Sequence, residues 1–325
     1  MARIKVGSWG AGFFLAFLLG LEANAADVDT FGIIKRQRYI SLANGTLDVD
    51  TNRPFEFEAF VAAFTSAGVV NASLMHPNGS RKILTRHARL TDLSFEDPFI
   101  TQADMNLAYP PGEYTLSMTT QNDGTLSPRL TLLEGDFPNT PRVLNLRELQ
   151  AIDPHQPVLI QWFPMQSTNI EAVVELDFFD ESGAIIYDPG VRHPASSSFT
   201  VPAGIFQPSS NYTGRLAFHA VASSDKQSYP GAIGAVIYSR ETRFPLKVMP
   251  KSDGRLRLLS PAYNEGTFSM GISGVSGRRY QVQSSGQTFN WVERLITNAP
   301  ATIFRVSIPG DPAIQKEFFR VVELQ

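Results

Sequence analysis

The sequence of 325 residues contains no cysteine. That excludes a thiol nucleophile, a thiolate metal site and any disulfide framework. An exported eukaryotic chain of this size ordinarily carries disulfides. An exported chain without them suits a bacterial exoprotein, held by its cores alone. Charge of one sign is also missing: 28 basic residues face 31 acidic ones. Nucleic acid requires a concentrated basic surface, so no nucleic-acid partner is expected. The cluster Lys35-Arg36-Gln37-Arg38 reads as the exposed start of a strand, since single charge clusters are usually solvated faces. Long helical periodicity is absent. Apolar runs of the ~20 residues that span a membrane as a helix are absent too.

The one long apolar stretch lies at the N-terminus. Arg3 and Lys5 precede a run containing Phe13, Phe14, Leu15, Phe17, Leu18, Leu19 and Leu21, and Ala23-Asn24-Ala25 follows. This is the layout of a signal peptide, with a basic n-region, an apolar h-region and small residues at the cleavage positions. The run is too short and too rich in Gly and Ala for a membrane span. Residues 1–25 are therefore expected to be removed. The mature chain is expected to have no membrane span and to be secreted or associated with the cell envelope. The sequons at Asn44, Asn71, Asn78 and Asn211 are read as fortuitous in such a host.

Short runs of Val, Ile, Phe, Tyr and Thr recur between turn residues, the pattern of all-β sandwiches. Val158, Ile160 and Trp162 share one face of a strand. Ala172 to Phe179, Ala184 to Tyr187 and Ser198 to Val201 read as further strands. From Tyr212 to Ala220 the alternation is clean. Tyr212, Gly214, Leu216, Phe218 and Ala220 line a buried face, and Thr213, Arg215, Ala217 and His219 a wet one. Thr242, Phe244, Leu246 and Val248 repeat the pattern, and Pro245 suggests an edge strand. Phe55, Phe57, Ala59 and Val61 alternate likewise. Ser73 to Thr85 reads as a hairpin around Asn78-Gly79.

Trp162 and the turn Phe206-Gln207-Pro208-Ser209-Ser210-Asn211-Tyr212 resemble a fibronectin type III domain, with its core Trp and its tyrosine corner. Here Phe206 stands where Leu is usual, and the turn is one residue longer. The resemblance covers about Pro141 to Pro250. Pro110-Pro111-Gly112-Glu113-Tyr114 resembles the start of an immunoglobulin-like strand. From Gly274 to Ser284, with Trp291 and Phe318-Phe319-Arg320-Val321, the chain resembles a small C-terminal β-module of secreted bacterial multi-domain proteins. The expected fold class is all-β, a tandem of antiparallel immunoglobulin/fibronectin type III-like sandwiches. The expected boundaries are 26–138, 141–250 and 251–325.

Catalytic and metal signals are weak. Asp48-Val49-Asp50-Thr51-Asn52 begins like a calcium loop, but Arg53 and Ala59 occupy the positions of the required Gly and Glu, so it reads as a polar turn. His76, His87, His155, His193 and His219 show no close ligand spacing, although His76 and His87 could meet across a hairpin. No G-x-S-x-G or Gly-rich phosphate cradle is present. Glu175 and Asp177 share the outer face of a strand and read as solvated charge. No catalytic residue, metal or cofactor is expected.

The candidate binding element is the stretch Ala222 to Ser239, long for a sandwich connection, with Tyr229, Ile233 and Tyr238 as ligand-binding residues. Its Ile and Val content also fits an extra hairpin, or a flap packed on a neighbouring domain. The expectation is a non-enzymatic adhesion or scaffolding module with protein or glycan partners at the bacterial surface. The alternatives are an accessory carbohydrate-binding protein, flagged by exposed aromatics such as Trp291 and Tyr229, and a hydrolase with an unrecognised site.

Overall fold

The computed structural model describes residues 27–65, 67–86, 92–166, 171–249, 256–264, 266–275, 277–286, 290–300, 303–309 and 318–324. The expected signal peptide and His87 lie outside these residues. The chain runs through β1 (Val28–Ser41), β2 (Leu47–Val49), β3 (Phe55–Ala63), β4 (Val69–Met75), β5 (Arg81–Arg86) and β6 (Leu93–Phe99). A short helix α1 (Gln102–Ala108) follows, then β7 (Gly112–Thr120), β8 (Thr125–Leu126) and β9 (Arg129–Leu132). Next come β10 (Val158–Gln161), β11 (Ala172–Phe179), β12 (Ile185–Tyr187), β13 (Ser198–Val201), β14 (Asn211–Asp225) and β15 (Ile233–Lys247). The last strands are β16 (Arg257–Asn264), β17 (Thr267–Ser273), β18 (Arg279–Ser285), β19 (Val292–Asn298), β20 (Ile303–Pro309) and β21 (Phe318–Leu324).

Contacts divide the chain into two compact units. One comprises residues 1–145, 160–199 and 213–245, the other residues 146–159, 200–212 and 246–325. The first unit holds a 13-stranded sheet in the order β12-β11-β14-β15-β1-β3-β6-β5-β4-β7-β8, with β2 beside β1 and β9 beside β7. Strands β4 and β7 fold over β1 and β3 to enclose a core of Phe31, Ile33, Phe57, Val61, Leu74, Tyr114, Leu116 and Met118. The alternating Phe55–Val61 run thus faces a core, as its period-2 pattern demands.

The fold is all-β and of the antiparallel sandwich kind expected, with one departure. Strands β1 and β15 pair in parallel, from Thr30↔Ile233 to Ile40↔Arg243. This pairing joins strands from the expected segments 26–138 and 141–250 in one sheet. It also corrects the edge assignment of Pro245: β15 lies between β14 and β1, and the proline stands beyond the last pair with β1. A missing N–H there removes no bond from that ladder.

In the second unit, Met270, Ile272, Tyr280, Val282, Val306 and Ile308 form a core between β16-β17-β20 and β19-β18-β21. Tyrosine corners recur in both units. The Tyr114 hydroxyl donates to Pro110 O at 2.8 Å, and the Tyr212 and Tyr280 hydroxyls accept from Gln207 N and Val275 N at 2.8 and 2.7 Å. Each ring fills a core while its hydroxyl satisfies a turn four or five residues upstream. Trp162 is fully buried, and its Nε1 donates to Ser196 O at 2.8 Å.

Candidate functional site

The expected long loop is a hairpin. Strand β14 continues to Asp225 and β15 begins at Ile233, leaving only residues 226–232 as the connection. Tyr229 is buried, stacks on Phe31 at 6.3 Å and donates to Asp123 Oδ2 at 2.5 Å. Ile233 is half-buried at the start of β15 and packs against Ile34, Phe60 and Val221. Tyr238 is buried on the other face of β15 and donates to Leu133 O at 2.7 Å. The three residues are therefore not brought together. The apolar content that could have marked a flap instead extends two strands.

Of the three, Tyr238 lines a cavity of about 400 Å³. Its neighbours there are Lys35, opposite it across the β1–β15 pair, and Gln102 and Asn106 from α1. Pro111 and the segment Glu134-Gly135-Asp136 after β9 complete the lining. Gly135 lets that segment lie on the Tyr238 ring, because a Cβ there would meet ring carbon Cε2 at 2.6 Å. Lys35 and Tyr238 are buried, while Gln102, Asn106, Pro111, Glu134 and Asp136 are exposed. The cavity thus has a buried floor and an open rim. Lys35 shares its face of β1 with Phe31 and Ile33, and this apolar setting is the reason it is buried. Its Nζ donates to Asn106 Oδ1 at 2.8 Å. No carboxylate lies within ion-pair distance of it among the described residues. Burial pushes its ammonium down to about 8. Burial pushes the Tyr238 hydroxyl up, and the Glu134 and Asp136 carboxylates add to that.

A second cluster fills the opposite face of the same sheet. Here the reading of Lys35–Arg38 as an exposed strand start, of Glu175 and Asp177 as solvated, and of Arg215–His219 as a wet face is corrected. Arg36, Arg38, Glu56, Glu58, Glu175, Asp177, Arg215, His219 and Glu241 are all buried. They sit side by side on five adjacent strands, so each pair of like charges meets an opposite pair next door. Arg36 reaches Glu56 at 2.5 Å and Glu58 at 2.7 Å, and Arg38 reaches Glu56 at 2.6 Å and Glu241 at 3.0 Å. Arg215 pairs with Asp177 and with Glu175 at 3.0 Å, and His219 Nε2 lies 3.0 Å from Glu175. Arg53 extends the chain from Glu56 to Glu96 at 2.9 Å. An apolar patch of Ile34, Phe60, Val221, Ala235 and Ile237 continues the same face.

Charge is shared unevenly: the half-exposed Arg53 and Arg243 add to the buried guanidiniums at Glu56 and Glu241, while Glu175 and Asp177 share the single guanidinium of Arg215. Burial opposes ionisation of Glu175 and Glu241, but arginines beside each, with His219 at Glu175, hold both down to about 2. Asp177 goes the other way. Burial, reinforced by Glu175 and Asp188, pushes it up to about 7 despite Arg215. Its Oδ1 has no hydrogen-bond partner among the described residues.

The remaining candidates are structural. Asp50 Oδ1 accepts from Asn52 N at 2.9 Å, an Asx turn leading into β3. His76 is buried 5.0 Å from the Tyr109 ring and 5.5 Å from the Tyr114 ring. At Trp291 the Arg320 guanidinium lies over the ring at 4.2 Å. Sequence reasoning missed Lys35 and the nine-residue charge cluster.

No family model matches the chain, and no curated protein matches it. Among solved structures, it is similar to the FN1–FN3 domains of chicken CNTN1, with 11% identity and a TM-score of 0.22 over 82% of this chain and 88% of that one. The BSP domain of a biofilm associated protein gives 11% identity and a TM-score of 0.22 over 94% of this chain and 65% of that one. The tetra-tandem repeat in the extending region of a large adhesion protein gives 12% identity and a TM-score of 0.19, covering 90% and 74% of the two chains.

Proposed function

We propose that this chain is exported through its N-terminal segment and acts outside the cytoplasm as a non-catalytic binding module, in adhesion or scaffolding at the bacterial surface. The observation that carries the reading is the open cavity of about 400 Å³ mounted on the widest sheet of the molecule. Cavities of this size, with a few convergent polar groups on a rigid scaffold, suit ligand recognition. The layout of Arg3, Lys5, the apolar run and Ala23-Asn24-Ala25 supports export. The opposite face of the sheet, locked by ion pairs, supports a rigid platform.

The test begins with expression of the full chain in a bacterial host. The expected product starts at Ala26 and is recovered outside the cytoplasm. That product should bind intact cells or a surface-protein or glycan array, and Gln102→Trp, which fills the cavity from an exposed rim position, should abolish the binding. An uncleaved cytoplasmic product, or hydrolytic turnover removed by substituting one carboxylate, would overturn the reading.

A further inference from the structure

The cavity is electrically divided. At its floor stands the ammonium of Lys35, buried and bonded to the neutral Asn106 amide oxygen at 2.8 Å. Glu134 and Asp136 line the cavity too, from its exposed rim. The two halves do not neutralise each other: neither acid lies within ion-pair distance of Lys35, while both act on the Tyr238 hydroxyl. A buried cation without a counter-charge is costly. Burial accordingly lowers the proton affinity of Lys35, with no carboxylate offsetting it. An incoming anion would receive two further N–H donors from the ammonium, and the Gln102 amide also lines the cavity. The rim carboxylates, in turn, favour a cation or a donor. One molecule that satisfies both ends carries an anionic and a cationic group a few bonds apart.

We infer that the cavity binds a small zwitterion of the amino-acid or short-peptide class, its carboxylate on Lys35 and its ammonium toward Glu134 and Asp136. This rests on the reading of the chain as a binding module and names the ligand of that module's cavity. The bonds at the carboxylate end are charge-assisted and formed away from solvent, where they are strong. The exposed rim leaves room for side chains, so selectivity falls on the two ends rather than on the body of the ligand.

Calorimetry on the full processed chain tests this with the twenty amino acids and a dipeptide library. The best binder is then compared with its N-acetylated form, which lacks the ammonium, and its C-amidated form, which lacks the carboxylate. The expected result is that blocking either end weakens binding at least tenfold. In Lys35→Met the free and C-amidated forms should bind alike. In the double variant Glu134→Gln, Asp136→Asn, placed on the exposed rim where folding is least affected, the free and N-acetylated forms should bind alike. Absence of binding by every free zwitterion, or equal binding of the blocked forms, overturns the inference. Retention of cell-surface binding by Lys35→Met in that event would leave the binding-module reading standing while this ligand falls.

Discussion

Arg38 lies opposite Glu241 across the parallel pair β1–β15, its Nε 3.0 Å from the carboxylate. Arg36 and Arg215 approach the same carboxylate at 3.5 and 3.8 Å, so one buried acid ties three strands together. Parallel strands so far apart in the chain have no hairpin to set their register. A slip by one residue would turn Arg36 and Arg38 away from their partners and leave charges buried alone.

Glu241→Gln tests this directly. Glutamine keeps the shape and one acceptor oxygen but leaves four guanidiniums, those of Arg36, Arg38, Arg215 and the half-exposed Arg243, without their shared counter-charge. Breaking one partner of a buried ion pair costs about 3–5 kcal/mol. The expected outcome is a large drop in the urea midpoint with an unchanged slope. An unfolding free energy within ~0.5 kcal/mol of wild type, the usual range for surface substitutions, would show that the cluster contributes little.

Asp177→Asn tests the charge imbalance. A carboxyl raised in the fold from 3.8 to about 7 binds protons more tightly folded than unfolded. Its stabilisation is complete at acid pH and is lost as pH rises from about 4 to about 7. Glu175 and Glu241 work oppositely, losing stability as pH falls from 4.5 toward about 2. Wild-type stability should therefore decline between pH 5 and pH 8, and Asp177→Asn should reduce that decline. Denaturant midpoints at the two pH values decide it; an undiminished decline in the variant would assign the effect to other groups.

Much of the strand pattern was legible because one buried face per strand imposes period 2. The Phe55–Val61 and Tyr212–Ala220 runs, Trp162 and the Tyr212 corner could all be read in this way. What failed was the inference that the alternate residues are wet. Alternation reports that two faces differ, and a face buried by ion pairs carries the same letters as a solvated one. A usable signal was present nonetheless. Arg36/Arg38, Glu56/Glu58 and Glu175/Asp177 are like-charge pairs two residues apart, which repel unless an opposite pair lies on the next strand. Pairing them required the β1–β3 and β11–β14 registers, and joining the two halves through Glu241 required the β1–β15 register, a contact between distant segments that no local pattern encodes. The same distance hid the cavity, since Lys35, Asn106 and Asp136 come from three separate elements.

Tyr229 separates a structural from a recognition role for the hairpin. Its ring is buried against Phe31 and its hydroxyl serves Asp123. Truncating a buried aromatic costs about 3–5 kcal/mol, and losing a hydrogen bond to a charged group about 1.5–3 kcal/mol. Tyr229→Ala should lower the unfolding free energy by the former amount and Tyr229→Phe by the latter. Loss of ligand binding in Tyr229→Ala with no change in stability would instead return the residue to a recognition surface.

Lys35 supplies a stability signature that also reports ligand. Its ammonium titrates at about 8 in the fold against 10.5 when unfolded, so the unfolded chain holds the proton more tightly. The cost of burying the charge is present in full below about pH 8 and is relieved as pH rises from about 8 to about 10. At 1.36 kcal/mol per pKa unit, the relief is ~3 kcal/mol at most. The buried Tyr109, Tyr114, Tyr229 and Tyr238 hydroxyls, all pushed upward by burial, work the other way as the unfolded phenols ionise near 10.0, and comparison with Lys35→Met, which keeps all four, isolates the lysine. Wild type should therefore gain stability from pH 7.5 to pH 10, and Lys35→Met should not. A carboxylate bound to the ammonium favours its charged form and moves the gain to higher pH. Melting curves across this range, with and without the zwitterion that binds best, should show that displacement in wild type and none in Lys35→Met. A wild-type profile that stays put with ligand bound would mean that the carboxylate docks elsewhere.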